Sequence, residues 1–156
     1  MPTTVDPDRE RLQDWLRRND FSLAEKAASD IDGTDALHDA ARYKEVGPTQ
    51  IRALLNTAQM CEVHELTDYV RERKERRRKS GQDEAADFWE AVNECLGGLE
   101  DEFVEEAAEG SGAPEVTSAS LRDGTFDKRT VRTLVTRAYV RHFVAHCQFV
   151  QGKSMS

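Results

Sequence analysis

Apolar residues recur along this chain at helical spacing and almost nowhere at the alternating spacing of a half-buried strand. Leu12, Trp15 and Leu16 mark a first helix, with Asp6 as N-cap, Pro7 at the first helical position and a stop near Asn19. Ser22 with Glu25 reads as a capping box opening a short Ala-rich helix. Asp32 and Gly33 break it, and Leu37, Ala40, Ala41 and Tyr43 predict another short helix before Gly47-Pro48. Ile51, Leu54, Leu55 and Ala58 then fall at i, i+3, i+4 and i+7, with Arg52, Asn56 and Gln59 beside that face. Val63, Leu66 and Val70 form the next stripe, and Arg73 and Arg77 continue it at the same spacing.

After Ser80-Gly81, Phe88, Val92, Cys95, Leu99 and Phe103 line one side of a long helix, with Gly97-Gly98 placed to bend it or to admit a close neighbour. Residues 109–124 read as a flexible loop. A last helix is predicted from near Thr125 or Asp127, with Val131, Leu134, Val135, Ala138, His142, Ala145 and Phe149 on one face. Tyr139, Phe143 and Val150 widen that sector, so the helix is expected to be central or covered by a partner. The expectation is an all-α fold, a single domain over 1–156 forming a bundle of about five or six helices, with short helices in 1–46.

Charge changes the picture more than composition does. The chain carries a formal net charge of −8, yet residues 71–79 hold seven Lys or Arg in nine positions. A second basic segment, 128–156, has six Lys or Arg and no acid. Two local positive surfaces on an otherwise acidic chain point to a polyanion, and the arginine bias suits phosphate. The candidate contacts are Arg52, Arg71, Arg73, Lys74, Arg76, Arg77, Arg78, Lys79, Arg137 and Arg141. The opposing reading of the run is a solvated helix extension laced with Glu72 and Glu75.

No stretch approaches the apolar length of a membrane span, and the first residues lack the pattern of a signal peptide. Cys61, Cys95 and Cys147 sit within apolar helical patterns and are expected to be reduced and buried in a cytoplasmic protein. His142 with His146, and Cys61 with His64, have helical ligand spacing but no convergent third ligand, so no metal or other cofactor is expected. The acids Glu100, Asp101, Glu102, Glu105 and Glu106 read as a solvated face, and no catalytic motif stands out.

Three segments carry a resemblance. Pro48-Thr49-Gln50-Ile51-Arg52-Ala53-Leu54-Leu55-Asn56 resembles the Thr/Ser-Gln-Ile/Leu-Arg-x-Leu-Leu helix of the small subunit of type III-A CRISPR effector complexes. Tyr69 with Arg73 is similar to the Tyr-x-x-x-Arg element on that family's following helix, and residues 141–153 resemble its C-terminal helix. His146 and Cys147 stand where the family usually has Tyr and often has His, and the related type III-B small subunit is the nearest alternative. The resemblance implies a non-catalytic helical subunit whose copies stack head to tail along a ribonucleoprotein. Its implied partners are guide RNA and target RNA, the backbone and large subunits, and further copies of itself. Contact without sequence preference is implied too, because phosphates position a strand without specifying it. The rival class is a helical protein–protein interaction module without nucleic acid.

Overall fold

Each Gly- or Pro-marked break in the pattern is a helix boundary, and two further boundaries carry no such mark. The computed structural model describes residues 7–153. The helices are α1 (Pro7–Arg18), α2 (Asp20–Asp32), α3 (Asp35–Arg42), α4 (Pro48–Met60) and α5 (Val63–Lys79). They are followed by α6 (Asp83–Leu99), a π-helical turn (Glu100–Val104), α7 (Glu105–Ser111), α8 (Ser118–Asp123) and α9 (Lys128–Lys153). The segments from α6 to α7 run on without a break, so the described residues form eight helical rods and no strand. The all-α expectation stands. The count of five or six falls short because the chain also divides at Cys61-Glu62 and folds a helix inside 109–124.

Local chemistry explains these boundaries. Pro7 opens α1 as its first residue, while the expected N-cap Asp6 lies outside the described residues. Asn19, not Ser22, is the N-cap of α2, and Ser22 and Glu25 lie inside that helix. The Asn19 amide bonds back to the Trp15 carbonyl and its own carbonyl accepts from Leu23, so the turn needs no capping box. Glu62 caps α5 in a reciprocal box with Glu65, which is the break at 61–62 that no Gly or Pro announces. Thr117 caps α8 with Ser120 in the same way, so the stretch expected as a loop ends one helix and holds another. Gly81 adopts φ +76°, and the Gln82 amide reaches the Arg77 carbonyl at 2.9 Å, a Schellman closure that turns α6 back along α5.

α9 is the axis. Helices α1 to α7 all pack on it. Its buried residues include Val131, Val135, Tyr139, Val140, Phe143 and Val144, which at 100° per residue span roughly two-thirds of its circumference. Ala145 and Phe149, expected on the apolar face, are exposed, whereas Val140, Val144 and Cys147 from outside that expected sector are buried. The coverage is wider than one stripe and shifts around the helix toward its C-terminal half. An aromatic column ties α9 to its neighbours: Tyr139 and Phe143 (5.9 Å), Phe143 and Phe88 (6.3 Å), Phe88 and Trp89 (5.2 Å), Trp89 and Tyr69 (6.3 Å). The buried Tyr139 hydroxyl donates to Asp30 at 2.6 Å, and Asp30 in turn holds Lys26 at 2.9 Å.

Beyond Gly97-Gly98 the rod slackens into the π turn. A Cβ on either glycine would meet open space, so no close neighbour explains them. The extra residue in the turn rotates the helix beyond it, letting α6 face α5 and α3 while α7 faces α1. Arg132 clamps the turn, with Nε and Nη2 donating to the two Glu100 oxygens at 2.8 Å each.

Cys147 is buried and Cys61 and Cys95 are half-buried, so the expectation that all three are buried holds for one. Burial pushes the Cys95 thiol up to about 11 and the Cys147 thiol up to about 12, far from reactive thiolates.

At the start of α9, Asp127 is fully buried and accepts from the Arg129 amide at 2.9 Å and from Arg129 Nε at 3.0 Å. Burial works against its charge, but the hydrogen bonds from Arg129 and Ser120 outweigh it and hold the carboxyl below its ordinary 3.8. The Arg132 guanidinium likewise holds Glu100 below its ordinary 4.5. A depressed carboxyl stabilises the fold above its unfolded value and loses that gain as pH falls through the folded one. Asp127→Ala is therefore expected to cost roughly 1–2 kcal/mol at neutral pH, the range of a lost N-cap. Urea unfolding followed across pH should show the gap to wild type beginning to narrow as pH falls below the ordinary value of the Asp127 carboxyl, 3.8, and closing as pH falls through its depressed folded value.

Candidate nucleic-acid interface

The basic run occupies the last two turns of α5, and the Gly81 turn lays the acidic first turns of α6 beside it. Arg78 approaches Asp87 at 3.2 Å, Glu90 at 3.6 Å and Asp83 at 3.8 Å, and Lys74 approaches Glu90 at 3.6 Å. Arg71 pairs with Asp68 and Arg76 with Glu72 along α5 itself. Arg73 lies over the Tyr69 ring at 5.1 Å, and Arg77 donates to Gln82 at 2.8 Å. Lys79 is exposed at the helix end. Most of the run's charge is thus countered within the α5–α6 hairpin by pairs that are exposed, individually weak and exchangeable.

The two α9 candidates sit elsewhere. Arg137 Nε donates to the Ala58 carbonyl at 2.9 Å and Nη2 to the Cys61 carbonyl at 3.5 Å. It closes the C-terminal end of α4, where unsatisfied carbonyls and the negative end of the dipole attract a cation. Arg141 is exposed and reaches Asp20 at 3.6 Å. Both line a cleft of about 570 Å³ with Gln13, Arg17, Asp20 and Gln59 around a floor of Leu16, Leu134 and Ala138. A second cleft of about 280 Å³, lined in part by Arg9, Glu62 and Arg129, meets it at Leu134 and Arg137.

Arginines thus recur along the combined groove. On α9, Arg129, Arg137 and Arg141 keep a four- and eight-residue spacing that holds them to one side of the helix. Arg129 is neutralised by buried Asp127. Arg137 differs in kind, because its hydrogen bonds go to carbonyls and, among the described residues, no carboxylate forms an ion pair with it.

Arg52 stands exposed on α4, in line with exposed Asn56 and Gln59. Gln59 lines the larger cleft, which puts Arg52 two turns, about 10 Å, up the same helix face. The basic run lies at the far end of α5, about 20 Å beyond the α4–α5 junction where Arg137 anchors. The fold therefore separates the sequence candidates into two sites, Arg52, Arg137 and Arg141 around the cleft and residues 71–79 on the hairpin. Arg17 and Gln13 complete the cleft and were missed by pattern reading, although the steps of eight and four residues from Arg129 to Arg137 to Arg141 mark the same side of α9.

The histidines have structural partners. His142 Nε2 meets Asp20 at 2.8 Å and His146 Nε2 meets Asp32 at 2.9 Å, at opposite ends of α2. His64 falls with Glu62 and Glu65, their ligand atoms within 4.8 Å of one another and all exposed. Both glutamates are already engaged in the α5 cap. No helix among the described residues is long and apolar enough to cross a membrane. No protein-family model, curated protein or solved structure matches the chain.

Arg137 and Arg52 separate by mutation. Arg137→Ala strips a charged donor from two half-buried carbonyls and is expected to destabilise by about 1.5–3 kcal/mol. Arg52→Ala, on an exposed helix face, should stay within about 0.5 kcal/mol of wild type. Chemical denaturation of both variants checks the contrast, and equal losses would remove the distinction between anchor and free contact.

Proposed function

We propose that the protein is a non-catalytic helical subunit that holds an RNA backbone without reading its sequence. This is the role implied by its resemblance to small subunits of type III CRISPR ribonucleoproteins. On this reading it works in the cytoplasm with guide RNA and target RNA, the backbone and large subunits, and stacked copies of itself. The observation that carries the proposal is the cleft on α9 lined by Arg17, Arg137 and Arg141 with one lining carboxylate, Asp20; Arg17 also pairs with Asp14 through an exposed contact that can exchange for phosphate. Guanidinium groups in a concave site suit phosphate, and an apolar floor excludes the water that would otherwise compete. Arg52 extends the same face along α4. The hairpin run adds attraction at a distance, and its weak ion pairs can exchange for phosphates.

One observation favours the rival reading of a protein–protein module: α6 counters much of the run's charge within the chain. Salt dependence separates the two. If phosphates are bound, log affinity falls linearly with log salt by about 0.7 per contact on single strands and about 0.9 on duplex. Arg52→Ala and Arg141→Ala should each lower that slope by close to one contact and weaken two RNAs of unrelated sequence equally. Combined Arg73→Ala, Arg76→Ala and Arg77→Ala should lower it too, by less than the cleft variants do per charge removed. A titration over several salt concentrations measures all of these. A flat salt dependence for wild type would replace RNA by a protein partner.

A further inference from the structure

We infer that Asp20 reads the sugar of the bound strand: its carboxylate accepts a hydrogen bond from a ribose 2′-hydroxyl, so the cleft prefers RNA to DNA. The inference rests on the phosphate-binding reading above. It adds the one backbone group that separates the two nucleic acids, and it involves no reading of sequence.

A carboxylate is the wrong group for a site that only gathers phosphates, because it repels them. Yet Asp20 lines the cleft together with Arg17, Arg137 and Arg141. Its role in the fold accounts for one of its two oxygens. His142 Nε2 meets Oδ1 at 2.8 Å, and Arg141 Nη2 approaches the same oxygen at 3.6 Å. Among the described residues nothing hydrogen-bonds Oδ2, and the side chain is 51% exposed. A carboxylate oxygen accepts and does not donate, so the ligand group that suits it is a hydroxyl or an N–H. His142, half-buried on α9, fixes the carboxylate before a strand arrives, so little order has to be gained on binding.

The nucleic-acid backbone supplies such a hydroxyl in the right place. In RNA the 2′-hydroxyl is on the carbon next to the one that bears the 3′-phosphate. A phosphate taken by Arg141 therefore carries a 2′-hydroxyl within reach of the neighbouring Asp20. The apolar floor of Leu16, Leu134 and Ala138 suits the C–H face of the sugar. DNA brings only C–H to the same spot, and Oδ2 then gives up water with nothing in return. In a duplex the 2′-hydroxyls lie in the open minor groove, so a paired and an unpaired strand can both make the contact.

The test is fluorescence anisotropy with three labelled strands of one length: oligouridylate, oligodeoxyuridylate and 2′-fluoro-oligouridylate. Each is titrated on wild type, Asp20→Ala and Asp20→Asn, with circular dichroism to check folding. The fluoro strand keeps the sugar pucker of RNA without a donor. Wild type should bind oligouridylate about tenfold more tightly than either other strand, the low end for a hydrogen bond to a charged group because the site is half open to water. All three strands should share one salt slope, since their phosphates are the same. Asp20→Ala should bring the three affinities within about twofold of one another. Asp20→Asn keeps an acceptor and a partner for His142, and its preference should fall between those of Asp20→Ala and wild type. Equal wild-type affinities, a fluoro strand bound as tightly as RNA, or the full wild-type preference kept in either variant would each overturn the inference and leave phosphate binding intact. So would a steeper salt slope on RNA, which would trace the preference to extra phosphate contacts. A wild type that binds none of the strands, or binds them with a flat salt dependence, sinks the phosphate-binding reading and this inference with it.

Discussion

A helix apolar around most of its circumference cannot stand in water, and covering α9 organises everything else in the molecule. Seven helical segments wrap it, most of them short because each covers only part of a 26-residue rod. Apolar contact alone would let such a coat slide. The polar groups on α9 prevent that, since each meets a different partner. Arg132 holds the π turn, Arg137 the end of α4, Tyr139 and His142 two sites on α2, and Gln151 the Val46 carbonyl at 3.0 Å. These bonds are costly to leave half-made in a low-dielectric interior, so they select one arrangement among the many that would bury the same area.

The same bonds explain why one basic segment differs from the other. The hairpin run meets carboxylates, and its field is damped where it arises. Arg137 meets carbonyls, which satisfy its donors without cancelling its charge. Charge remaining in the lining of a concave site is screened less than charge on an open helix. Local density of Lys and Arg along a sequence is thus a poor guide to where a protein is electropositive. The groups those side chains bond to decide it.

Much of the fold was legible because helix periodicity and turn chemistry are local. Ile51, Leu54 and Ala58 are buried as their spacing requires, and Gly81 and Pro48 sit at boundaries. Features that depend on neighbours were not legible. Ser22 and Glu25 have capping-box spacing, but the Asn19 backbone had already opened α2. Composition made 109–124 a loop, yet Thr117 and Ser120 cap a helix there. The pairing of Asp83, Asp87 and Glu90 with the run needed only the inference that a Schellman turn returns the chain antiparallel, so those acids could have been placed. Arg137 as an anchor could not, because it joins segments 76 to 79 residues apart.

The π turn has a consequence for how this chain can change length. Removing one residue from Glu100–Val104 would restore an ordinary helix and turn everything beyond it by about 100°. Phe103, whose ring lies 6.5 Å from Trp15, and Ala107 and Ala108 would swing away from α1. Gly110, where a Cβ would stand 3.2 Å from the Trp15 ring, would swing with them. Adding one residue carries α7 past α1 by the same angle. A change of four residues nearly restores the phase, at about 40°, but moves α7 along its axis by about 6 Å. Length variation in this rod is therefore quantised, and the lasting insertions and deletions belong in the turns between rods.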